Sequence, residues 1–209
     1  MLPAESAADA AWLVSVMTTF GGRVGDIAPD GFAAYARVFH PLSSGSWAEV
    51  AFANQRAMHP AVQWERIAAD EQEQPRFGTL GAEPARTLAD ILALHTGTPD
   101  ACFFAIWEGW GGLEVDPVAS FVTLPYRNYW LHRAPVGDAT HSFESFPDRQ
   151  ANLWWPADHA WFVVSEIDFD STVVAGSRAL VDAILASTLE ALEVTAETDL
   201  SSLGDTVNS

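Results

Sequence analysis

Four apolar runs rich in aromatic and β-branched residues constrain the fold of this 209-residue chain more than any other feature. They read ACFFAIWEGW, VASFVTLP, RNYWLHRAP and HAWFVVSEIDF, and clusters of Gly, Pro and Asp separate them. This composition is typical of β-strands. Because the runs follow one another without a helix between each pair, they predict a largely antiparallel sheet.

Amphipathic segments predict helices around this sheet. Apolar periodicity indicates helices near the N-terminus, in EPARTLADILALHTG and in GSRALVDAILAS. The first helix would turn Leu13, Val16 and Phe20 toward the protein body, and Ser46 with Glu49 forms a capping box that starts another. We predict one globular α+β domain over residues 1–209, with residues 1–5 and 198–209 as loose termini.

Charge excludes several classes of function. The formal net charge is −18, and all ten basic residues are Arg because the chain contains no Lys. Nucleic acids and anionic membranes are therefore not expected partners, since both require a basic surface. The absence of Lys also excludes P-loop and Schiff-base chemistry. Acidity of this kind suits a basic protein partner, or it reflects compositional bias and solubility alone.

Residues 163–172, VVSEIDFDST, carry the most suggestive acidic pattern. An Asp-x-Asp-x-Thr strand end occurs in aspartate-nucleophile phosphatases, but too little chain follows it here and the required Lys is missing. Strand alternation would place Glu166, Asp168 and Asp170 on one face, where they could bind a hard cation or divide acid and base roles. The simpler interpretation, which we adopt, leaves the three acids in solvent and buries Ile167 and Phe169.

Two sets of residues are candidates for a site. Glu108 lies between two Trp residues that could raise its pKa, and His159 follows an acid within WWPADHAW. Together with two of the three acids, they form a candidate catalytic set: Glu108, His159, Glu166 and Asp168. Four Trp residues form a candidate ligand-binding set: Trp107, Trp110, Trp154 and Trp155. The alternative interpretation for both sets is that these residues are strand ends, hairpin anchors and core residues.

The His, Cys and Ser residues show no pattern typical of a metal site or a cofactor site, so we predict neither. Six scattered His residues form no local chelating pair, and the single Cys102 lies among apolar neighbours in a predicted strand. No Gly-x-Ser-x-Gly elbow marks a nucleophile. The first twenty residues lack the basic start of a signal peptide, and no apolar run is long enough to span a membrane. A cytoplasmic location is the resulting expectation.

The segments GFAAYARVFHP, FFAIWEGWG and NLWWPADHAWFVVSEIDFDSTVVAGS resemble those of a group of uncharacterised actinobacterial proteins with no assigned function. The resemblance covers the chain from about residue 28 onward and implies a single domain, but it assigns no activity to any residue. Three hypotheses follow. The first is a non-catalytic interaction module, for example of an immunity- or antitoxin-like kind, that binds a basic partner. The second is an acid/base hydrolase, and the third is a small-molecule binder with a Trp-lined cleft. We favour the first and leave the question of enzyme activity open.

Overall fold

The structure is a computed structural model, and it describes residues 1–110, 120–125, 127–141 and 149–208. Across these ranges nine strands form one antiparallel sheet. The strands are β1 (Leu2–Pro3), β2 (Ala34–Phe39), β3 (Cys102–Trp107), β4 (Ser120–Leu124), β5 (Arg127–Ala134), β6 (Leu153–Pro156), β7 (Phe162–Val164), β8 (Ser171–Gly176) and β9 (Ala191–Val194).

Six α-helices and two 3-10 helices accompany the sheet in the same ranges. The α-helices are α1 (Ala11–Val16), α2 (Val24–Ile27), α3 (Trp47–Ala53), α4 (Trp64–Ile67), α5 (Ala82–Ala93) and α6 (Arg178–Leu185). The 3-10 helices are Ala7–Ala10 and Val136–Thr140. The predicted α+β fold with an antiparallel sheet is confirmed. No helix in the described part of the chain is long and apolar enough to cross a membrane.

The order of strands in the sheet is β1-β5-β3-β6-β7-β8-β2-β9. Strand β4 also pairs with β5, beside β1 and on the side opposite β3. The early strand β2 lies between two late strands, β8 and β9. This pairing ties residues 34–39 to the C-terminal third of the chain.

Both faces of the sheet are buried, and successive residues of a strand enter different cores. In β3, Phe103 belongs to the core covered by α1 and α2, whereas Phe104 belongs to the core covered by α5 and α6. A third, smaller core joins Phe39 at the end of β2 to α3 and α4. A sheet covered on both faces explains why its strands are continuously apolar in sequence instead of alternating.

Three segments differ from their sequence interpretation. Helix α1 is shorter than predicted, and Val16 and Phe20 are exposed because the chain leaves the helix after Val16. The two terminal segments both make contacts, since β1 pairs with β5 and Leu200 is buried.

Candidate functional site

One end of the sheet gathers most of the predicted site residues. Antiparallel pairing sets Trp107 opposite Tyr129 and Leu153 opposite Val164. The end of β3, the start of β5 and the end of β7 therefore meet at the same edge of the fold. Glu108, which follows β3, thus lies at the same end as the loop that follows β7. We call that loop, residues 165–170, the acidic turn.

The prediction that the acids of this turn face solvent is wrong for two of the three. Glu166 and Asp170 are only 4% and 5% exposed, whereas Asp168 is exposed. Ile167 and Phe169 are half-buried instead of buried. Strand β7 ends at Val164, so the two-residue alternation assumed for the acids does not apply. Arginines from strands that are distant in sequence pair with the two buried carboxylates, so these carboxylates do not need solvation by water.

Arg127, the first residue of β5, holds one side of the acidic turn. Its Nη2 lies 2.6 Å from Glu166 Oε1 and 2.8 Å from Asp168 Oδ2, and its Nε donates to the same Glu166 oxygen at 3.1 Å. A guanidinium group shared by two carboxylates fixes the backbone between them. Both predicted catalytic acids of the turn are therefore committed to ion pairs.

Arg37 holds the other side of the turn from β2. Its Nη2 donates to Asp170 Oδ1 at 3.2 Å and its Nε to Ser171 Oγ at 2.8 Å. Its Nη1 donates to the main-chain oxygens of Pro60 and Val62. The side chain is 1% exposed and also lies over the rings of Phe39 and Trp47. Arg37 thus links the sheet, the loop before α4 and the acidic turn.

Arginine and aromatic side chains alternate across this end of the sheet. The guanidinium of Arg127 lies 5.1 Å from the ring centre of Phe20 and 5.2 Å from that of Trp107. Trp107 meets Trp110 edge to face at 5.2 Å, and Arg149 lies 3.6 Å above the ring of Trp110. We call this series the arginine–tryptophan ladder. It includes Trp107 and Trp110 of the predicted ligand-binding set.

Glu108 lies beside the ladder but has no partner among the predicted catalytic residues. Its Oε1 accepts a hydrogen bond of 2.5 Å from Asn128 Nδ2. The buried Asn152 accepts from the Trp107 main chain at 3.0 Å and from Trp110 Nε1 at 3.3 Å. Its own amide donates to the Ser165 main-chain oxygen. Asn152 therefore ties the ladder to the start of the acidic turn.

His159 lies at the opposite end of β7 from Glu166. Its ring stacks on Trp12 with 4.3 Å between ring centres, and its φ of 53° places the backbone in the left-handed region. Partial burial lowers the pKa of His159, against the opposing charge of Asp158. The structure does not bring His159 together with Glu108, Glu166 or Asp168, so these four residues do not form one constellation.

Trp154 and Trp155 lie in the two main cores, on opposite faces of β6. Both side chains are fully buried. Trp154 packs on Phe104 and donates to the Ala151 main-chain oxygen, while Trp155 stacks against Phe103. The predicted set of four ligand-binding Trp residues thus divides into two ladder residues and two core residues.

A surface pocket of about 270 Å³ lies beside the acidic turn. Its walls come from the turn, from the loop and helix α4 on one side, and from the C-terminal segment on the other: Gln63, Glu65, Phe77, Asp168, Phe169, Asp170, Leu200, Ser201 and Ser202. Burial raises the pKa of Asp170, Arg37 opposes this rise, and Glu65 adds to it. Glu65 and Asp170, which both line this pocket, therefore repel each other.

A larger pocket of about 500 Å³ lies where β1 meets the end of β5. Its charged lining consists of Glu5, Asp9, Asp100, Arg133 and Asp138. It contains none of the residues that the sequence marks as a candidate site, and it lies at the opposite end of β5 from Arg127.

A buried chain of hydrogen bonds lies between the acidic turn and β2. Ser165 Oγ and Thr172 Oγ1 are 2.6 Å apart, and Thr172 Oγ1 lies 2.9 Å from His40 Nε2. His40 Nδ1 lies 2.6 Å from the main-chain oxygen of Arg76. Burial lowers the pKa of His40 to about 4, and the nearby Arg37 contributes to this in addition, against the bond to Arg76. His40 is therefore a neutral structural residue at pH 7.

The buried His40 predicts a loss of stability in mild acid. Above pH 6.5 His40 is neutral in both the folded and the unfolded protein, and its contribution to the free energy of unfolding is fully present. Between pH 6.5 and about 4 only the unfolded state takes up the proton, so unfolding should become easier by about 1.4 kcal/mol per pH unit. Denaturant unfolding at several pH values would measure this slope. It should decrease in His40→Gln but not in His95→Gln; equal slopes in all three proteins would contradict the assignment.

Sequence reasoning missed the arginines of this region, although one signal was present. Arg37 interrupts an apolar strand, and charged residues are rarely buried there without a partner. Nothing local marks Arg127 or Arg149, because their contacts depend on the sheet pairing. The described residues contain no group of three or more His, Cys, Asp or Glu side chains that could hold a metal ion. The two glycines that follow Trp110 in sequence lie within residues 111–119, outside the described ranges.

Comparison with known proteins adds no assignment to this geometry. The chain matches no protein-family model, no curated protein and no solved structure. Functional inference therefore rests on the side chains of the site itself.

Proposed function

We propose that the protein is a non-catalytic binding protein that receives a positively charged side chain of a basic protein partner in the pocket beside the acidic turn. The position of Glu65 relative to Asp170 carries most weight. Both carboxylates line the same pocket, and burial raises the pKa of Asp170 with a further contribution from the charge of Glu65. A guanidinium or ammonium group between them would relieve that repulsion.

The size of the pocket supports a side chain as the occupant. Its volume of about 270 Å³ lies below the range of roughly 300 to 1,000 Å³ common for drug-sized ligands. Phe77 and Phe169 line the pocket together with the carboxylates. Aromatic rings beside acids suit the aliphatic stem and charged head of Arg or Lys.

The pocket is held in shape before any partner binds. Asp170 is paired with Arg37 and Asp168 with Arg127, while Glu65 is exposed in the first turn of α4. Rigid carboxylates lose little conformational entropy when a cation binds. The net charge of −18 would in addition attract a basic partner over a longer range and speed its association.

Acid/base catalysis is the second candidate, and the raised pKa of Asp170 favours it. A carboxyl group that holds its proton longer than usual can act as an acid. Arg37 weighs against this role, because its charge favours the ionised form of Asp170 and so opposes the rise in pKa. If the purified protein hydrolysed a substrate and Asp170→Asn lost that activity, catalysis would become the favoured function over binding.

A peptide titration tests the binding proposal. The probes are a tetra-arginine peptide and a tetra-citrulline peptide, which has the same shape without charge. We expect saturable binding of the first only, with NMR shifts at Phe77, Phe169 and Ser201. Glu65→Gln should weaken binding by about tenfold, the value of one charge-assisted interaction.

Glu83→Gln is the matched control for this titration. It removes the same charge from an exposed position on α5, away from the pocket. It should change the affinity by less than a factor of about two at physiological salt, because distant surface charges are screened. Equal losses in the two variants, or equal binding of both peptides, would show that the attraction is diffuse and that the pocket is not the site.

A further inference from the structure

Arg149 is an unusual arginine in this acidic protein. Four other arginines, Arg23, Arg37, Arg127 and Arg178, each pair with a carboxylate. Arg149 instead lies flat on Trp110, and its Nη1 atom is buried with no hydrogen-bond partner in the part of the chain that the structure describes. A buried guanidinium N–H without an acceptor is unfavourable, so the position calls for an acceptor group.

The surroundings of Arg149 hold it in place. Trp110 donates from its indole N–H to the buried Asn152. The neighbouring residue, Gln150, is itself buried and accepts hydrogen bonds from the Thr79 hydroxyl and the Gly81 main chain. Both the ring beneath the guanidinium and the main chain that carries it are therefore fixed. Binding there would cost little ordering of side chains.

We propose that Arg149, stacked on Trp110, is a binding site for an oxyanion group, a carboxylate or a phosphate, carried by a small organic molecule. Stacking occupies one face of the guanidinium and leaves the N–H groups along its edge as donors in the plane of the fork. That edge matches two oxygens of a carboxylate or phosphate. The site is separate from the acidic pocket and takes a ligand of opposite charge, so it neither requires nor excludes the proposed function.

Local charges favour an anion here despite the net charge of the chain. Arg76 lies close enough to Arg149 for their charges to interact. Three acids within the described ranges at this end of the sheet are engaged by other groups: Glu166 and Asp168 by Arg127, and Glu108 by Asn128. Exposed charges farther away than about 8 Å are largely screened at physiological salt. The immediate neighbours of Arg149 therefore decide which charge of ligand the site prefers.

Titration with three small anions tests the site. Inorganic phosphate, phenyl phosphate and benzoate are added separately, at low salt, while NMR follows the side-chain Nε–H signals of the arginines. We expect saturable shifts of the Arg149 signal with at least one anion. Phenyl phosphate against benzoate distinguishes a phosphate ligand from a carboxylate ligand. Inorganic phosphate shows whether the oxyanion alone is sufficient.

Three variants separate binding from folding. Arg149→Gln should weaken the best anion by about tenfold or more, and Arg149→Lys should weaken it less, because charge remains while the planar fork is lost. Arg86→Gln removes an exposed arginine of α5 and should leave the affinity unchanged. Thermal unfolding confirms that each variant is folded. No saturable binding of any anion, or equal affinity in Arg149→Gln and Arg86→Gln, would overturn the proposal.

Discussion

Replacement of Arg37 by methionine is expected to lower the free energy of unfolding by about 3 to 5 kcal/mol. The substitution keeps an unbranched side chain of similar length but removes every donor. It leaves Asp170 as a buried carboxylate without its cation, and it deprives the Ser171 hydroxyl and the carbonyls of Pro60 and Val62 of their partner. Equilibrium denaturation in urea would measure the loss.

Two further variants test the physical cause of this loss. Arg178→Met removes an arginine that pairs with Glu193 on the surface and should change stability little, since exposed pairs contribute little. Arg37→Met combined with Asp170→Leu should recover much of the stability, because the buried charge is then absent. A loss in Arg37→Met no larger than that in Arg178→Met would show that the buried ion pair does not hold the turn.

Arg37 connects the core to the acidic pocket, so its replacement should affect both. Asp170 is a wall of the acidic pocket, and Arg37 also fixes the main chain immediately before Gln63, another wall residue. Loss of Arg37 would therefore move two sides of the pocket at once. The residue acts as a positioning residue for the site even though it lines no part of it.

The sequence predicted the class of fold because class depends on local composition and order. Aromatic and β-branched runs without intervening helices indicated an antiparallel sheet, and the capping box of Ser46 and Glu49 is present in the structure. It did not separate β7 from β8, because VVSEIDFDSTVV reads as one extended segment. The break between them depends on Arg37 and Arg127, which lie far away along the chain.

The candidate site was predicted only in part for the same reason. Trp107, Glu108 and Trp110 follow one strand and stay together in any fold that contains that strand. Arg127 and Arg149 join them only because β5 and β6 pair with β3 on its two sides. His159 appeared close to the acids in sequence, but a strand separates it from them. An extended β-strand separates its two ends by about 3.3 Å per residue, so residues that are close in sequence can lie far apart in space.

The burial of Trp154 predicts the second large effect. Trp154→Ala should lower the free energy of unfolding by about 3 to 5 kcal/mol, because it removes the largest type of side chain from a closed core and leaves a cavity. The ring packs on Phe104, and its N–H donates to the Ala151 main-chain oxygen at 2.7 Å. Urea denaturation would measure the loss.

Trp130 provides the comparison for Trp154. It is half-buried in β5 and packs on Phe121 of the neighbouring strand, so neighbouring side chains and solvent can fill the space left by Trp130→Ala. That variant should therefore lose clearly less stability than Trp154→Ala. Trp154→Phe should fall between them, since it keeps an aromatic ring but loses the N–H donor. If Trp154→Ala were instead as stable as the unaltered protein, Trp154 could not be a core residue, and its place in a ligand-binding cleft would have to be reconsidered.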